Sequence, residues 1–197
     1  MGSIDRKERL KKQIRVNIME AAKNIAVEDG WSAVSVRKIA GKIEYSAPII
    51  YEHFKNKDDL LEEIRKEGFG VLLSIFLNVK SHFGNPEKQL MEVAKEIWNF
   101  ACKNLEVFQL MFNIEGAYCS SKKVFADVMN IQNNPIWEML ANLKPKSAVS
   151  VTKTYYEWWC VTFGFITITM TTQPKYAFIQ AESLYIDAIR RFINSIR

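Results

Sequence analysis

The sequence predicts an all-α fold of about nine helices, in which a small basic N-terminal unit precedes a larger, aromatic-rich helical bundle. Two observations predict it. Apolar residues recur at helical spacing through most of the chain, and the β-branched residues fall in stretches that carry the same period. Glycine and proline breakers separate these stretches at Gly30, residues 84–86, residues 144–146 and residues 173–174. We therefore predict two domains, residues 1–57 and residues 58–197.

Local signals fix the ends of the first four helices. Gly30 is a typical C-terminal stop, and Ser35 and Ser46 are suitable N-caps. Pro48 is tolerated in a first turn, where its missing N–H would be unpaired anyway. The acidic pair at residues 58–59 complements a helix N-terminus. The predicted helices cover about residues 8–29, 36–43, 47–54 and 56–83.

Five further helices are predicted in the bundle, at about residues 86–103, 105–115, 121–142, 148–172 and 175–196. Between residues 155 and 166 the chain is apolar almost all the way round, which is typical of a helix buried on every side. A chain of this size has little material to surround it, so we predict that a partner chain covers one face. An intrachain core is the alternative. The predicted dimer interface contains Tyr155, Trp158, Phe165, Phe178, Tyr185, Ile189 and Phe192.

Composition excludes several classes of protein. Hydrophobic residues make up 48% and charged residues 25%, as in ordinary globular chains. There is no run of 18 apolar residues and no secretory signal, so we expect no membrane partner and a place in the bacterial cytoplasm. The three cysteines (Cys102, Cys119, Cys160) are widely spaced, and the only histidines are His53 and His82. We therefore predict no metal site, no cofactor and no disulfide framework.

All of the excess positive charge lies in the first 57 residues. That segment contains 12 Lys and Arg against 7 Asp and Glu, whereas the rest of the chain contains 15 of each sign. A polyanion would therefore bind at the N-terminal domain, through phosphate neutralisation and counterion release. A solvated basic arm is the alternative interpretation of the charge alone.

The second and third helices, joined by a short turn, form a helix-turn-helix, the module that places a helix in the major groove of DNA. Residues 39–54 also supply apolar side chains for a miniature core, Phe54 among them. Donors suited to phosphate oxygens surround this unit, namely Arg37, Lys38, Lys42, Tyr51, His53, Lys55 and Lys57. We therefore expect the first domain to dock on duplex DNA.

The segment from residue 18 to residue 61 closely resembles the N-terminal domain of tetracycline-repressor (TetR) family regulators. The shared features are Ala21-Ala22, Gly30 with a following aromatic residue, Val34-Ser35-Val36-Arg37, Ile39-Ala40, Ser46-Ala47-Pro48, Ile50-Tyr51-x-His53-Phe54, Lys57 and Leu60-Leu61. The resemblance implies that Ser35, Tyr51, His53 and Lys57 bind phosphate. It also implies that the turn and the start of the third helix face base edges, with Tyr45, Ser46, Ala47, Pro48 and Ile49.

The segment departs from the family pattern at two positions. Glu44 stands in the turn where the family usually has glycine, so we expect either a strained left-handed backbone or a shifted turn. Lys38 stands where the family often has an acidic residue that completes a capping box. A lysine there weakens the cap slightly but adds a cation on the DNA-facing side.

The resemblance further implies dimerisation through the last two helices and a ligand pocket in the bundle. Aromatic and methionine side chains are suited to an apolar cavity, and the candidates are Trp98, Phe108, Met111, Phe112, Trp137, Tyr156, Trp159 and Phe163. We expect a homodimeric repressor that a mainly hydrophobic effector of unknown identity releases from a palindromic operator. A constitutive DNA-binding dimer is one alternative. An all-helical enzyme is a weaker one, because no catalytic constellation is present.

Overall fold

The computed structural model describes residues 3–114, 134–143, 148–172 and 178–196. Over these ranges the chain forms α-helices and one short 3-10 turn, Trp31–Ala33, with no strand. The α-helices are α1 (Ser3–Asp29), α2 (Val36–Lys42), α3 (Ala47–His53), α4 (Lys57–His82), α5 (Pro86–Lys103), α6 (Leu105–Phe112), α7 (Pro135–Ala141), α8 (Ala148–Thr172) and α9 (Phe178–Ser195). The predicted all-α fold with an N-terminal helix-turn-helix and a helical C-terminal part is confirmed.

One predicted helix differs from the structure. Of the helix expected over residues 121–142, residues 121–133 lie outside the described ranges, and α7 begins only at Pro135. Asn134 precedes it in extended backbone (φ −81°, ψ 122°), and its side-chain oxygen accepts a hydrogen bond from Ile136 N–H. An asparagine cap followed by proline starts a new helix, so a continuous helix through Asn134 is wrong.

The chain divides into two compact units. The first contains the residues up to Gly68 together with a later segment that begins at Glu106, so α6 belongs to it. This unit is larger than the predicted domain of residues 1–57. Its core is formed by apolar side chains of α1 to α4 and α6, including Ile18, Ile39, Ile50, Phe54 and Leu110. Phe54 is only 2% exposed, as its predicted core role requires.

Two local features attach α6 to the first unit. A Cβ atom built on Gly68 of α4 would lie 2.5 Å from the Met111 sulfur and 3.1 Å from Val107, so any other residue would force the buried Met111 side chain to shift. In addition, the Trp31 indole Nε1–H donates a 2.7 Å hydrogen bond to the Glu106 carbonyl. Helical periodicity does not predict either contact, because each joins residues that are far apart in the sequence.

The second unit contains residues 69–105 and the described residues from 134 onward. Trp98 of α5 stacks on Tyr185 of α9, with ring centroids 5.1 Å apart, and the Tyr185 hydroxyl donates to the Ala94 carbonyl at 3.2 Å. Trp158 of α8 lies against Phe192 of α9, with centroids 6.1 Å apart. The aromatic residues of α8 and α9 therefore pack within one protomer.

This packing corrects part of the predicted dimer interface. Tyr155, Trp158, Tyr185 and Ile189 have no exposed surface within a single protomer, so they have no area left to bury against a partner chain. The intrachain core accounts for these four positions. Of the remaining predicted residues, Phe165 and Phe192 are half-buried, and the side chain of Phe178 lies outside the described residues. No helix among the described residues is long and apolar enough to cross a membrane.

Candidate nucleic-acid interface

The two short helices α2 and α3 begin at the predicted serines, but the two caps differ. Ser35 is extended (φ −144°, ψ 152°), and its hydroxyl oxygen accepts from Lys38 N–H at 3.3 Å. Ser46 is also extended, yet its side chain makes no capping hydrogen bond. Only its carbonyl accepts the first helical bond, from Ile49 N–H at 3.1 Å. The exposed Ser46 hydroxyl is therefore not committed to the helix.

The turn between α2 and α3 has a left-handed residue at Glu44, with φ of 58°. Around it, Tyr45 N–H donates to the Ala40 carbonyl at 3.0 Å and Glu44 N–H donates to the Gly41 carbonyl at 3.4 Å. These two bonds define a Schellman motif, the usual way to end a helix with a left-handed residue. Of the two outcomes expected for a non-glycine residue here, the chain adopts the strained left-handed backbone, which costs roughly 1–2 kcal/mol.

The exposed surface of α2, α3 and the turn between them carries aromatic and polar side chains. Tyr51 is 56% exposed and Tyr45 is 41% exposed, whereas Ile50 and Phe54 between and beside them are buried. Seven of the twelve predicted DNA-contact residues are exposed: Arg37, Lys38, Tyr45, Ser46, Pro48, Tyr51 and Lys55. The other five are half-buried: Ser35, Ala47, Ile49, His53 and Lys57. All twelve therefore keep accessible surface within the first unit.

Three of the lysines around this surface are held by acceptors of the protein itself. Lys38 pairs with Asp29 (Nζ to Oδ2, 3.1 Å), and Lys42 pairs with Glu28 (Nζ to Oε1, 2.6 Å). The Lys57 ammonium donates to the Trp31 carbonyl at 3.1 Å, and burial lowers its pKa below the usual value. Each ammonium carries three N–H groups, so these contacts leave donors free.

His53 ends α3, and its surroundings favour the neutral imidazole. Burial lowers its pKa below the usual 6.5, and the nearby charges of Lys11 and Arg15 lower it further, against a smaller opposing effect of Glu52. The lowered pKa favours the neutral imidazole, which can donate one hydrogen bond. A phosphate placed beside it would favour the protonated form.

Arg15 is a site residue that the sequence did not single out. Its Nη1–H donates to the His53 carbonyl at 2.8 Å, and its Nη2–H donates to Glu63 Oε2 at 2.7 Å. Its guanidinium carbon lies 4.2 Å from the centroid of the Phe54 ring. The only sequence signal was an arginine one turn before the core residue Ile18 on an amphipathic helix.

The predicted pocket residues are distributed over both units. Phe108, Met111 and Phe112 belong to the first unit, and the other five belong to the second. Trp98 and Trp159 are buried, Tyr156 is exposed, and Trp137 and Phe163 are half-buried. A surface cleft of about 340 Å³ in the second unit is lined by other residues, among them Phe83, Met91 and Ile193. The pocket therefore remains a prediction.

Among the described residues there is no group of three or more histidine, cysteine or acidic side chains that could hold a metal ion. The described ranges also show that Cys102 and Cys160 are free thiols, and burial raises the pKa of Cys102 to about 11. A raised pKa makes the thiol less reactive, since the thiolate is the nucleophile.

Comparison with known proteins identifies the helix-turn-helix. Residues 18–64 match the family model of bacterial regulatory proteins of the tetR family. These residues therefore form a DNA-binding domain of the TetR-family type. The matched segment runs from the core of α1 into α4 and includes all twelve predicted contact residues, so the family match and the observed geometry concern the same surface. The chain is a DNA-binding transcriptional regulator.

Proteins of known sequence and of known structure are similar to this chain over most of its length. An uncharacterized HTH-type transcriptional regulator of Haemophilus influenzae is 24% identical over 143 residues, which is 71% of this chain and 72% of that protein. A TetR-family transcriptional regulator of Bordetella parapertussis has the same fold, with a TM-score of 0.69 and 20% identity, over 91% of this chain and 93% of that chain. A structure on the molecular basis of the control of antibiotic production by bacterial hormones has a TM-score of 0.73 and 15% identity, over 91% and 97%.

Proposed function

We propose that the chain is a homodimeric repressor that binds a palindromic operator and is released by a small, mainly hydrophobic effector. The observation that carries the proposal is the exposed face of α2 and α3, where polar and aromatic side chains surround a two-turn helix of a TetR-family unit. Because the proposed partner is operator DNA, we also propose that the protein acts in the bacterial cytoplasm. Each protomer would insert α3 into one major groove, with half-sites about one helical turn apart.

The contacts to DNA divide by chemistry. Tyr45, Ser46 and Pro48 are exposed at the start of α3 and are suited to base edges. Tyr51 and Lys55 are exposed further along and carry donors suited to phosphate oxygens. Phosphate contacts position the unit, and the base-edge contacts determine which operator it selects.

A dimer surface is available on α8 and α9 outside the buried core. Cys160, Gly164 and Ile168 follow one face of α8 at a spacing of four residues, and Ile168 is 63% exposed. A Cβ atom built on Gly164 would meet nothing within 4 Å. Leu184 of α9 is 61% exposed. An isologous pairing of these apolar positions with their copies would bury them.

The second unit is suited to an effector with a hydrogen-bond acceptor. Within the described part of the chain, the indole N–H groups of Trp137 and Trp158 are buried without a hydrogen-bond partner. Unsatisfied buried donors are uncommon, and an acceptor on a bound molecule would satisfy them. A structure of the same fold concerns the control of antibiotic production by bacterial hormones, which also favours a small-molecule effector. An effector shifts binding only through its different affinities for two states, typically about 1–3 kcal/mol.

The direct test uses the full chain and the intergenic DNA beside its own gene. Fluorescence anisotropy should show tight binding to one fragment and weaker binding to a shuffled duplex of equal length, and sedimentation should give two chains per site. Equal affinity for both duplexes would overturn the operator proposal. A panel of hydrophobic and aromatic molecules then tests for release. If none releases the DNA and the bundle proves to have no cavity, the constitutive dimer replaces the effector-controlled repressor.

A further inference from the structure

We infer that Arg15 is a positioning residue, which holds the C-terminal end of the recognition helix α3 in the orientation that operator selection requires. The inference rests on the proposed DNA contacts of α3. Three contacts carry it: Arg15 donates to the His53 carbonyl at 2.8 Å and to Glu63 Oε2 at 2.7 Å, and its guanidinium lies over the Phe54 ring at 4.2 Å.

The recognition helix depends on such contacts because it is very short. Residues 47–53 make two turns, and an isolated helix of this length is not stable in water. Ile50 is its only fully buried residue, and the chain becomes extended at Phe54 directly after it. Its last carbonyls have no partners within the helix, and one of them is the His53 carbonyl that Arg15 binds. A cation at this end also complements the helix dipole.

The geometry of the guanidinium connects three helices through one side chain. Arg15 lies on α1, its Glu63 partner lies on α4, and the His53 carbonyl ends α3. A planar guanidinium can bond two acceptors at once while its face rests on an aromatic ring. A lysine at this position has one nitrogen and cannot keep all three contacts. Glu63 is kept ionised, since its pKa is lowered by the hydrogen bonds from Lys66 and from Arg15.

These contacts also distinguish positioning from direct DNA binding. Both terminal nitrogens of Arg15 already donate to acceptors of the protein, and the side chain is only 36% exposed. Loss of Arg15 should therefore change how well α3 fits the selected sequence, and it should leave the number of neutralised phosphates unchanged. Specificity and salt dependence report these two quantities separately.

The test compares Arg15→Met and Arg15→Lys with the wild-type full chain. The probes are a duplex that the wild-type chain selects from a randomised pool and an unrelated duplex of equal length. Arg15→Met should weaken binding to the selected duplex about tenfold, the loss expected for a charge-assisted hydrogen bond, and should affect the unrelated duplex much less. Arg15→Lys should be intermediate, and Glu63→Gln should reproduce part of the loss. Lys12→Met, which removes a charge from an exposed position of α1, is the matched control.

Two outcomes would overturn the inference. If Arg15→Met makes the salt slope shallower by about one phosphate, Arg15 contacts DNA directly. If it weakens both duplexes equally, as Lys12→Met does, only its charge matters. Where Arg15→Met unfolds the chain, Arg15→Lys and Glu63→Gln decide between the same outcomes, because both keep a polar side chain. If the wild-type chain selects no duplex at all, the proposed function is wrong. If the wild-type chain selects a duplex and Arg15→Met binds it equally well, only the inference about Arg15 is wrong.

Discussion

At the scale of single residues, the chain carries strain and charge where it is expected to meet DNA. Glu44 holds a left-handed backbone that glycine adopts without cost, and it places a carboxylate in the turn that we propose faces DNA. Burial and the nearby charges of Lys11 and Arg15 lower the pKa of His53. Sequence reasoning could predict the first feature, because the family pattern shows a glycine there. The second depends on how deeply one side chain is buried, which no local pattern specifies.

Glu44→Gly should stabilise the chain by about 1 kcal/mol, because glycine relieves the left-handed strain. Glu44→Gln should leave stability nearly unchanged, because it removes the charge and keeps the strain. Both should strengthen DNA binding. Urea denaturation and anisotropy measure the two effects, and Asn24→Gly at an exposed position of α1 is the control, which should be destabilising. Equal stabilities of the two Glu44 variants would contradict the strain argument.

His53 should make stability depend on pH in a defined direction. Its folded pKa lies below the unfolded value near 6.5, so the unfolded chain binds the proton first as the pH falls. The contribution of His53 to stability is therefore present above pH 6.5 and is lost as the pH falls through the folded pKa. Urea midpoints measured from pH 7.5 downward should decline less for His53→Gln than for the wild type. His82→Gln, an exposed histidine of the second unit, should behave as the wild type does.

At the scale of helices, the periodicity of apolar residues predicted most of the helices. It did not predict which helices contact each other closely, and only the structure shows those contacts. The helices α2 and α3 begin directly after the predicted serines Ser35 and Ser46, and α5 begins within the predicted breaker at residues 84–86. The attachment of α6 to the first unit could not be predicted in this way. It depends on the close approach of α6 to Gly68 and on the hydrogen bond from the Trp31 indole to the Glu106 carbonyl. Helical spacing shows which face is apolar but not which neighbour covers it.

Two alanine substitutions in α4 separate these effects. Gly68→Ala should destabilise the chain by about 1–3 kcal/mol, because the new methyl group meets Met111 at 2.5 Å. Gly70→Ala, two residues later, should stabilise it by up to about 1 kcal/mol, because nothing lies within 4 Å and alanine favours a helix. Thermal unfolding of the two variants checks the pair. A neutral Gly68→Ala would show that α6 does not pack closely on α4.

The last turn of α1 should limit binding to DNA of any sequence. Glu28 and Asp29 pair with Lys42 and Lys38, and these carboxylates compete with phosphates for the same ammonium groups. The double substitution Glu28→Gln/Asp29→Asn should raise affinity for a random duplex by up to about thirtyfold, since each of the two exposed pairs is worth at most about 1 kcal/mol. The same change in a Lys38→Gln/Lys42→Gln background should have a clearly smaller effect. An equal effect in both backgrounds would mean that the carboxylates act only through net charge.

At the scale of the whole molecule, the sequence predicts the fold class. It does not predict whether an apolar residue is buried inside one protomer or between two protomers of a dimer. A helix that is apolar on every side is compatible with a thick intrachain core and with a dimer interface. The structure resolves this for Tyr155, Trp158, Tyr185 and Ile189, which are buried within one protomer. Periodicity cannot distinguish the two cases, because both remove the same side chains from water.

Dimerisation should depend on the exposed face of α8 and α9. Ile168→Lys together with Leu184→Lys should shift the chain towards monomer in sedimentation velocity, since charges would be buried unpaired. Leu73→Lys is the matched control, because Leu73 is a 46% exposed leucine on α4 outside that face. An unchanged dimer in the double variant would place the interface elsewhere.

The most direct test of the central claim is the salt dependence of DNA binding by the full chain and by Lys55→Gln. Lys55 is an exposed lysine beside the end of α3, and Lys153→Gln in the second unit is the control. We predict tight binding to a selected duplex and a slope of log affinity against log salt that Lys55→Gln makes shallower by about 0.9, as for one lost phosphate contact. Lys153→Gln should keep the wild-type slope. Identical slopes for all three proteins would contradict docking through the helix-turn-helix.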